Sequence, residues 1–239
     1  MKVTLISHTQ DAATLLLFTK STRLSMSPGL MEEIRSWPEE KKLAELEYMA
    51  NTIPSSWEFV DYVFMIEGVS RAFTHQFVRS RQGSYAQQTM RVLEMGDFEY
   101  VFTDRNQQDA AAAAIIRQHN RKTQEAYKSL IGLGQPTEDA RGILPTNIAT
   151  NIVAKFNLRA FVDLAKSRTG GRTQGEYQKV MNAMVDAVLA VHPWAEKFLF
   201  QQGRDYFADI EAFAEREYGG DLLKKGQLLK IVDHLRKGN

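Results

Sequence analysis

The chain has 239 residues, 44% of them hydrophobic and 25% charged, with a formal net charge of +1. That balance fits a soluble globular protein of one large domain or two small ones, and gives no global reason to expect nucleic-acid or membrane binding. The absence of cysteine excludes disulfides, thiolate nucleophiles and Cys-ligated metals.

Val3, Leu5 and Ser7 alternate with Thr4 and Ile6, which predicts a first strand. This opening is too short an apolar run for a signal peptide, and no stretch approaches the roughly 18 apolar residues of a membrane span. The expected compartment is the cytoplasm. His8 ends the strand, where a surface or capping role is favoured over ligation. Leu15 to Phe18 is a short apolar segment. Ser27-Pro28-Gly29 is a turn before a short helix over Leu30 to Trp37. Pro38 with Glu39 and Glu40 suits the first turn of a further helix to about Ala50. Asn51 to Ser56 is a loop or the start of a helix. From Trp57 to Ile66 the apolar residues are too dense for their period to separate strand from helix. Ser70 to Phe77 fits a helix with Phe73 and Phe77 on one face.

Val92 to Thr103 mixes aromatic and β-branched residues with Gly96-Asp97, as in a strand leading to a loop. Asn106 to Ile131 reads as the clearest helix, with Ile115, Ile116, Tyr127 and Leu130 for packing and His119 on a polar face. Gly132 to Pro136 ends it, and Thr137 to Ala140 is a helical turn. Ile148 to Phe156 has strand character. Asn157 opens a helix to about Ser167, Gly170-Gly171 breaks it, and Gln174 to Val191 is amphipathic until His192-Pro193. After Trp194 come a helical segment and a terminal amphipathic helix from Leu222, whose basic face reads as solvated. There is no internal repeat and no linker. The expectation is a single domain over 1–239 with a helical C-terminal extension from about residue 195.

The run from Thr74 to Arg91 stands apart: Arg79, Arg81 and Arg91 fall within thirteen residues, with Ser84, Gln87, Gln88 and Thr89 between them. Guanidinium forks match phosphate oxygens, and hydroxyls and amides complete such a cradle. By residue type alone, an anion site and a solvated basic turn are equally good readings. The spacing adds more. Arg79-Ser80-Arg81, seven residues, Thr89, one residue, Arg91 resembles the signature of the flavin-dependent thymidylate synthases, which reads Arg-His-Arg, seven residues, Ser, one residue, Arg. The flanks Ile66 to Ala72, His75 to Val78 and Ser84 to Gln88 are similar too. A second, distant cluster follows the same family in order: Arg141-Gly142-Ile143-Leu144-Pro145, Asn157-Leu158-Arg159, then Arg168 with Gln174 and Glu176. Together the clusters span about residues 50 to 180.

The resemblance implies an α/β fold with a central antiparallel or mixed sheet flanked by helices, in which Trp57 to Phe77 is a strand followed by a helix. It implies a homotetramer with sites shared between subunits. It implies methylation of dUMP to dTMP at carbon 5, with methylenetetrahydrofolate as carbon donor and NADPH as reductant through FAD. By position, Gln76, the backbone near Gln87, Thr89, Arg91 and Arg141 would hold the nucleotide. Arg168 would stabilise charge on the pyrimidine. Ser55, Glu58, Arg79, Ser80, Arg81, Ser84, Asn157 and Arg159 would contact FAD. Thr89 reads as a phosphate ligand, since the family does not use the signature serine as an obligatory nucleophile. No metal is implied. Ile53, Phe59 and Ser80 stand where family members often have histidine, Val92 replaces a Tyr, and Asp163 and Arg172 replace a common Asn and His. The flavin and folate side is thus more altered than the nucleotide side. Rival readings are a relative that hydroxymethylates dUMP or acts on dCMP, and a nucleotide- or flavin-binding protein without catalysis.

Overall fold

The computed structural model describes residues 1–170, 173–200 and 206–237, which fall into two compact units, 1–199 and 200–239. In chain order the first unit holds β1 (Lys2–His8), α1 (Ala12–Ser21), α2 (Leu30–Arg35), α3 (Glu39–Thr52), β2 (Asp61–Ser70), α4 (Arg71–Phe77), β3 (Ser84–Gln87) and α5 (Asp104–Gln108). It continues with α6 (Ala110–Gly132), α7 (Thr137–Ala140), β4 (Ala149–Asn157), α8 (Leu158–Arg168), α9 (Gly175–Val191) and α10 (Glu196–Leu199). The second unit is a helix pair, α11 (Tyr206–Tyr218) against α12 (Leu222–Lys237). No helix among the described residues is long and apolar enough to cross a membrane.

The architecture is α/β, built on a four-stranded, wholly antiparallel sheet in the order β1-β2-β4-β3. Strand alternation decides which face is buried. Tyr62, Phe64 and Ile66 of β2, with Ile152, Ala154 and Phe156 of β4, are buried in the main core. The intervening Val63, Met65 and Val153 are only half-buried. α9 supplies Tyr177, Val180, Met181, Met184, Val185 and Val188 to the same core, at the three-to-four spacing of a helical stripe. Phe64 stacks on Phe161 of α8 at 5.4 Å between centroids. Truncating one such ring to Ala costs about 3–5 kcal/mol.

Two local devices place the functional stretch. Gly68 adopts φ +64°, a left-handed conformation, at the register shift between Ile66 and Val69, so β2 bends before it reaches α4. Ser70 then caps α4, its hydroxyl accepting from Phe73 N at 3.0 Å. The Glu176 carboxylate accepts from Ser70 N at 2.7 Å and from its hydroxyl at 2.6 Å, tying the start of α9 to the same corner.

Several boundaries differ from expectation for stated reasons. Asp109 accepts from Ala111 N and Ala112 N and so caps α6, separating α5 from it where one helix was expected. α6 buries Ala113, Asn120, Thr123 and Tyr127, while Ile115 is 68% exposed. The stretch from Val92 to Thr103 forms no strand, only a single bridge between Tyr100 and Ile148. Ser84 to Gln87, read only as part of a cradle, is the edge strand of the sheet. Pro54–Phe59 is a 3-10 turn, so β2 begins at Asp61 rather than at Trp57.

Candidate functional site

The turn that follows α4 is held from beneath. Ser80 N donates to Phe77 O at 3.1 Å and Gly83 N to Ser80 O at 3.0 Å, giving two successive turns. The Tyr85 hydroxyl, on β3, donates to Phe77 O at 3.1 Å and to Ser80 O at 2.7 Å. Burial and the neighbouring Tyr177 push the Tyr85 phenol up to about 12, so it remains a donor. With the backbone turned inward, Arg79 and Arg81 point out, exposed and in no ion pair among the described residues. With Ser80 and Gln82 they rim a cavity of about 370 Å³ that reaches Phe156 of β4 and Asp163, Leu164 and Ser167 of α8. Two unpaired guanidinium forks at such a rim suit an anionic group.

A second group forms where β3 runs out. Gln87 Nε2 donates to Thr74 Oγ1 at 2.8 Å, and Gln88 N to Asn151 O at 3.0 Å. Thr89 Oγ1 accepts from Arg91 N at 3.1 Å. Arg91 Nε donates to the Glu138 carboxylate at 2.7 Å, and Arg141 Nε to Glu138 O at 3.1 Å. The Arg91–Glu138 pair thus brings the Thr89–Arg91 stretch to α7, beside Arg141. Gln76 is exposed on α4 and makes no side-chain hydrogen bond among the described residues.

Arg71 belongs to this group and is missing from the sequence-predicted set. Its guanidinium donates to Gln88 O, while its Nε is buried without a partner. Burial, and then the charge of Arg141, hold its pKa below the usual arginine value. The available signal was its place just after Ser70, the residue that caps α4 beside the cradle.

The remaining predicted residues collect around α8. Arg159 pairs with Glu58 at 2.7 Å, joining the helix start to the 3-10 turn. Asn157 caps α8 by accepting from Ala160 N at 2.9 Å. The Ser55 hydroxyl accepts from Arg23 at 2.8 Å, another guanidinium that sequence reasoning missed. Ser84 opens β3, exposed, opposite Lys155. At the far end of α8 the Arg168 guanidinium lies over the Tyr177 ring, 5.2 Å from its centroid. No hydrogen bond or ring contact among the described residues joins Arg168 to the group at α7. Arg172 lies outside the described residues.

A larger cavity, about 650 Å³, lies between the Glu94–Glu99 segment, α6 and β4, and meets the cradle stretch at Gln88. Its carboxylates Glu94, Asp97 and Glu99 suit an anion poorly, so the guanidinium groups define the candidate site.

The family profile described as thymidylate synthase complementing protein matches residues 4–194. A flavin-dependent thymidylate synthase of Nitratidesulfovibrio vulgaris is 31% identical over 209 residues, covering 80% of this chain and 84% of the relative. One from Sulfurisphaera tokodaii is 31% identical over 193 residues, covering 81% and 75%. One from Clostridium tetani is 28% identical over 211 residues, covering 81% and 84%. With a family match along most of its length, spanning both arginine groups, the chain belongs to the flavin-dependent thymidylate synthases, a family of enzymes.

Proposed function

We propose that this chain methylates dUMP at carbon 5 to give dTMP, using methylenetetrahydrofolate, FAD and NADPH. The observation that carries the reading is the Arg91–Glu138 pair, which brings the Thr89–Arg91 stretch to the helical turn that ends at Arg141, with Arg71 bound to Gln88 O on the same stretch. In this reading Arg71, Arg91 and Arg141 bind the nucleotide phosphate with Thr89, while Gln76 and the strand backbone near Gln87 complete the cradle. Arg168 stabilises negative charge on the pyrimidine ring, where a fixed guanidinium in a site that excludes water is most effective.

The unpaired Arg79 and Arg81, with Ser80, Ser84 and the α8 face, fit the anionic part of FAD. Arg159, Glu58, Ser55 and Asn157 would extend that contact toward the start of α8. FAD, when bound, supplies the hydride chemistry; the chain supplies binding, orientation and electrostatics. We also propose a homotetramer with sites shared between copies, the assembly that the family resemblance implies. The fold is proposed to be that of the family, and the compartment the cytoplasm.

A second reading is favoured by three positions. Ile53 is packed against the core, Phe59 is 57% exposed, and Ser80 sits in the turn; none offers the proton exchange of histidine near neutral pH. A slowed or redirected outcome follows, in which water supplies the group that completes carbon transfer and the product is hydroxymethylated, or in which dCMP is the substrate. Mass spectrometry of products from dUMP and dCMP, with the full cofactor set, decides. Brisk dTMP formation from dUMP alone removes the second reading. No product from either nucleotide removes both and leaves a binding protein.

A further inference from the structure

Arg23 reaches the 3-10 turn at Pro54–Phe59 from 32 residues away. Its segment leaves α1 through two hydrogen bonds to Ser21 O, from Leu24 N at 2.9 Å and from Ser25 N at 3.0 Å. One guanidinium nitrogen, Nη2, donates to the Ser55 hydroxyl at 2.8 Å and to the Ser56 hydroxyl at 3.4 Å. The turn is anchored from behind. Trp57 is buried, donates from Nε1 to Met49 O at 3.2 Å, and meets Phe198 edge-on at 5.0 Å between centroids. Ser55 is therefore exposed on a fixed support.

The direction of these bonds decides what Ser55 can offer. A guanidinium only donates, so the Ser55 oxygen uses a lone pair on Arg23 and its own proton points elsewhere. No acceptor takes that proton among the described residues. Arg23 is in no ion pair among them, whereas Glu58 is matched by Arg159, so the charge of Arg23 is left unbalanced at the turn. An exposed hydroxyl donor beside an unbalanced cation suits an oxygen acceptor on a ligand. Ile53 and Phe59, at the two ends of the turn, supply no polar side chain of their own. The nitrogen donor comes from Arg23 instead.

We propose that Arg23 is a positioning residue for the bound cofactor: it fixes the Ser55 hydroxyl with its proton directed at an acceptor oxygen of FAD. The inference rests on the FAD reading above and goes beyond it, since the arginine signature does not reach residue 23. Flavin titration by absorbance, with the melting temperature of the FAD-free chain alongside, tests it in the parent, Arg23→Ala, Ser55→Ala and the double variant. Arg23→Ala should weaken FAD binding about three- to tenfold, the effect of one hydrogen bond. Ser55→Ala should weaken it by a similar factor. The double variant should bind no more weakly than the worse single variant, because guanidinium and hydroxyl act as one unit. Arg35→Ala removes an exposed guanidinium paired with Asp11 on α1's other flank and should leave FAD affinity within about twofold. Inorganic pyrophosphate, titrated in competition with FAD, locates the acceptor. A loss that also appears for pyrophosphate assigns a phosphate oxygen, and a loss confined to FAD assigns an oxygen outside the diphosphate.

A merely structural Arg23 would move only the melting temperature, through the buried Ser56 hydroxyl that its removal leaves unpaired. An FAD-binding parent with unchanged affinity in Arg23→Ala, losses that multiply in the double variant, or an equal loss in Arg35→Ala would each overturn the inference alone. A parent with no saturable FAD binding overturns the FAD reading and this inference with it.

Discussion

Gly83 is the tightest point of the Arg79–Arg81 turn, and replacing it tests how that turn is held. A Cβ there would lie 2.5 Å from Phe156 Cε1 and 2.7 Å from the Tyr85 hydroxyl. Neither neighbour can yield freely. Phe156 is buried and packs edge-on against Phe77 and Tyr85, at 5.7 and 5.8 Å between centroids. Tyr85 is pinned by hydrogen bonds to Phe77 O and Ser80 O. Overpacking of this kind costs about 1–3 kcal/mol, and loss of the Tyr85 bonds adds roughly 0.5–1.5 kcal/mol each. Gly83→Ala should therefore lose about 2–6 kcal/mol, a large part of the roughly 5–15 kcal/mol of a typical domain. Urea denaturation measures this, and flavin titration should show weaker binding as the turn shifts Arg79 and Arg81. Gly132→Ala is the control: a Cβ there meets nothing within 4 Å, and its place in α6 predicts a small gain of about 0.4–1 kcal/mol. Equal stability of Gly83→Ala and the parent would show that the turn is not held by close packing.

The nucleotide group gives two further tests by calorimetry and steady-state kinetics. Arg91→Ala should weaken dUMP binding about ten- to a hundredfold, the value of a charge-assisted contact of about 1.5–3 kcal/mol, whereas Arg168→Ala should lower kcat more than affinity. Two variants that bind and turn over like the parent would dismiss both assignments. Glu138→Gln frees Arg91 from an exposed pair and should tighten dUMP binding, by no more than about fivefold and less at high salt. Weaker binding would mean that Glu138 orients Arg91 rather than competes for it. The last test concerns acid stability. Burial, then the nearby His8, lower His192 to about 4, and its Nδ1 lies 3.0 Å from the Tyr62 hydroxyl. With a folded pKa below the unfolded value of about 6.5, its contribution is complete above that value and is lost as pH falls toward 4. His192→Asn should flatten urea stability across that window by up to about 1.4 kcal/mol per pH unit, and an unchanged slope would reject the argument.

Local chemistry made much of the fold legible. Asn157 announced the start of α8 because a capping amide and an amphipathic run are both local signals. Leu158, Phe161, Val162 and Ala165 then appear where the spacing put them, in the core. β3 was not legible, because Ser84-Tyr85-Ala86-Gln87 is short and polar and becomes a strand only by pairing with β4, some seventy residues away. Asp109 was hidden within an alanine-rich run that read as one helix. In the site, residue type, spacing and flanks together drew attention to Arg79, Arg81 and Arg91. Arg71 and Arg23 escaped because their roles depend on Gln88 O and the Ser55 hydroxyl, partners brought to them by the fold. Tyr177 read as one apolar step of a helical stripe, and the Arg168 guanidinium over its ring comes from another element.

The charge of the group at α7 argues for a particular kind of anion. The chain as a whole is nearly neutral, at +1, so the positive charge that matters is local. The group holds three guanidiniums, of which Arg91 pairs with the Glu138 carboxylate while Arg71 and Arg141 donate to the backbone carbonyls of Gln88 and Glu138. Without a ligand that arrangement is under two loads: Arg71 Nε is buried and unpaired, and Arg141 opposes the charge on Arg71. A dianion relieves both, since it can meet the unpaired donor and cancel the remaining positive charge. A phosphate monoester carries about −1.5 to −2 at neutral pH, close to what three guanidiniums and one carboxylate leave over. The phosphodiester of a nucleic acid carries only one negative charge per phosphate and would leave part of the repulsion in place. It also gains little from a chain whose net charge is only +1. On the proposed reading, the same cluster therefore selects a free nucleotide over a polynucleotide by charge alone, before any contact with the base.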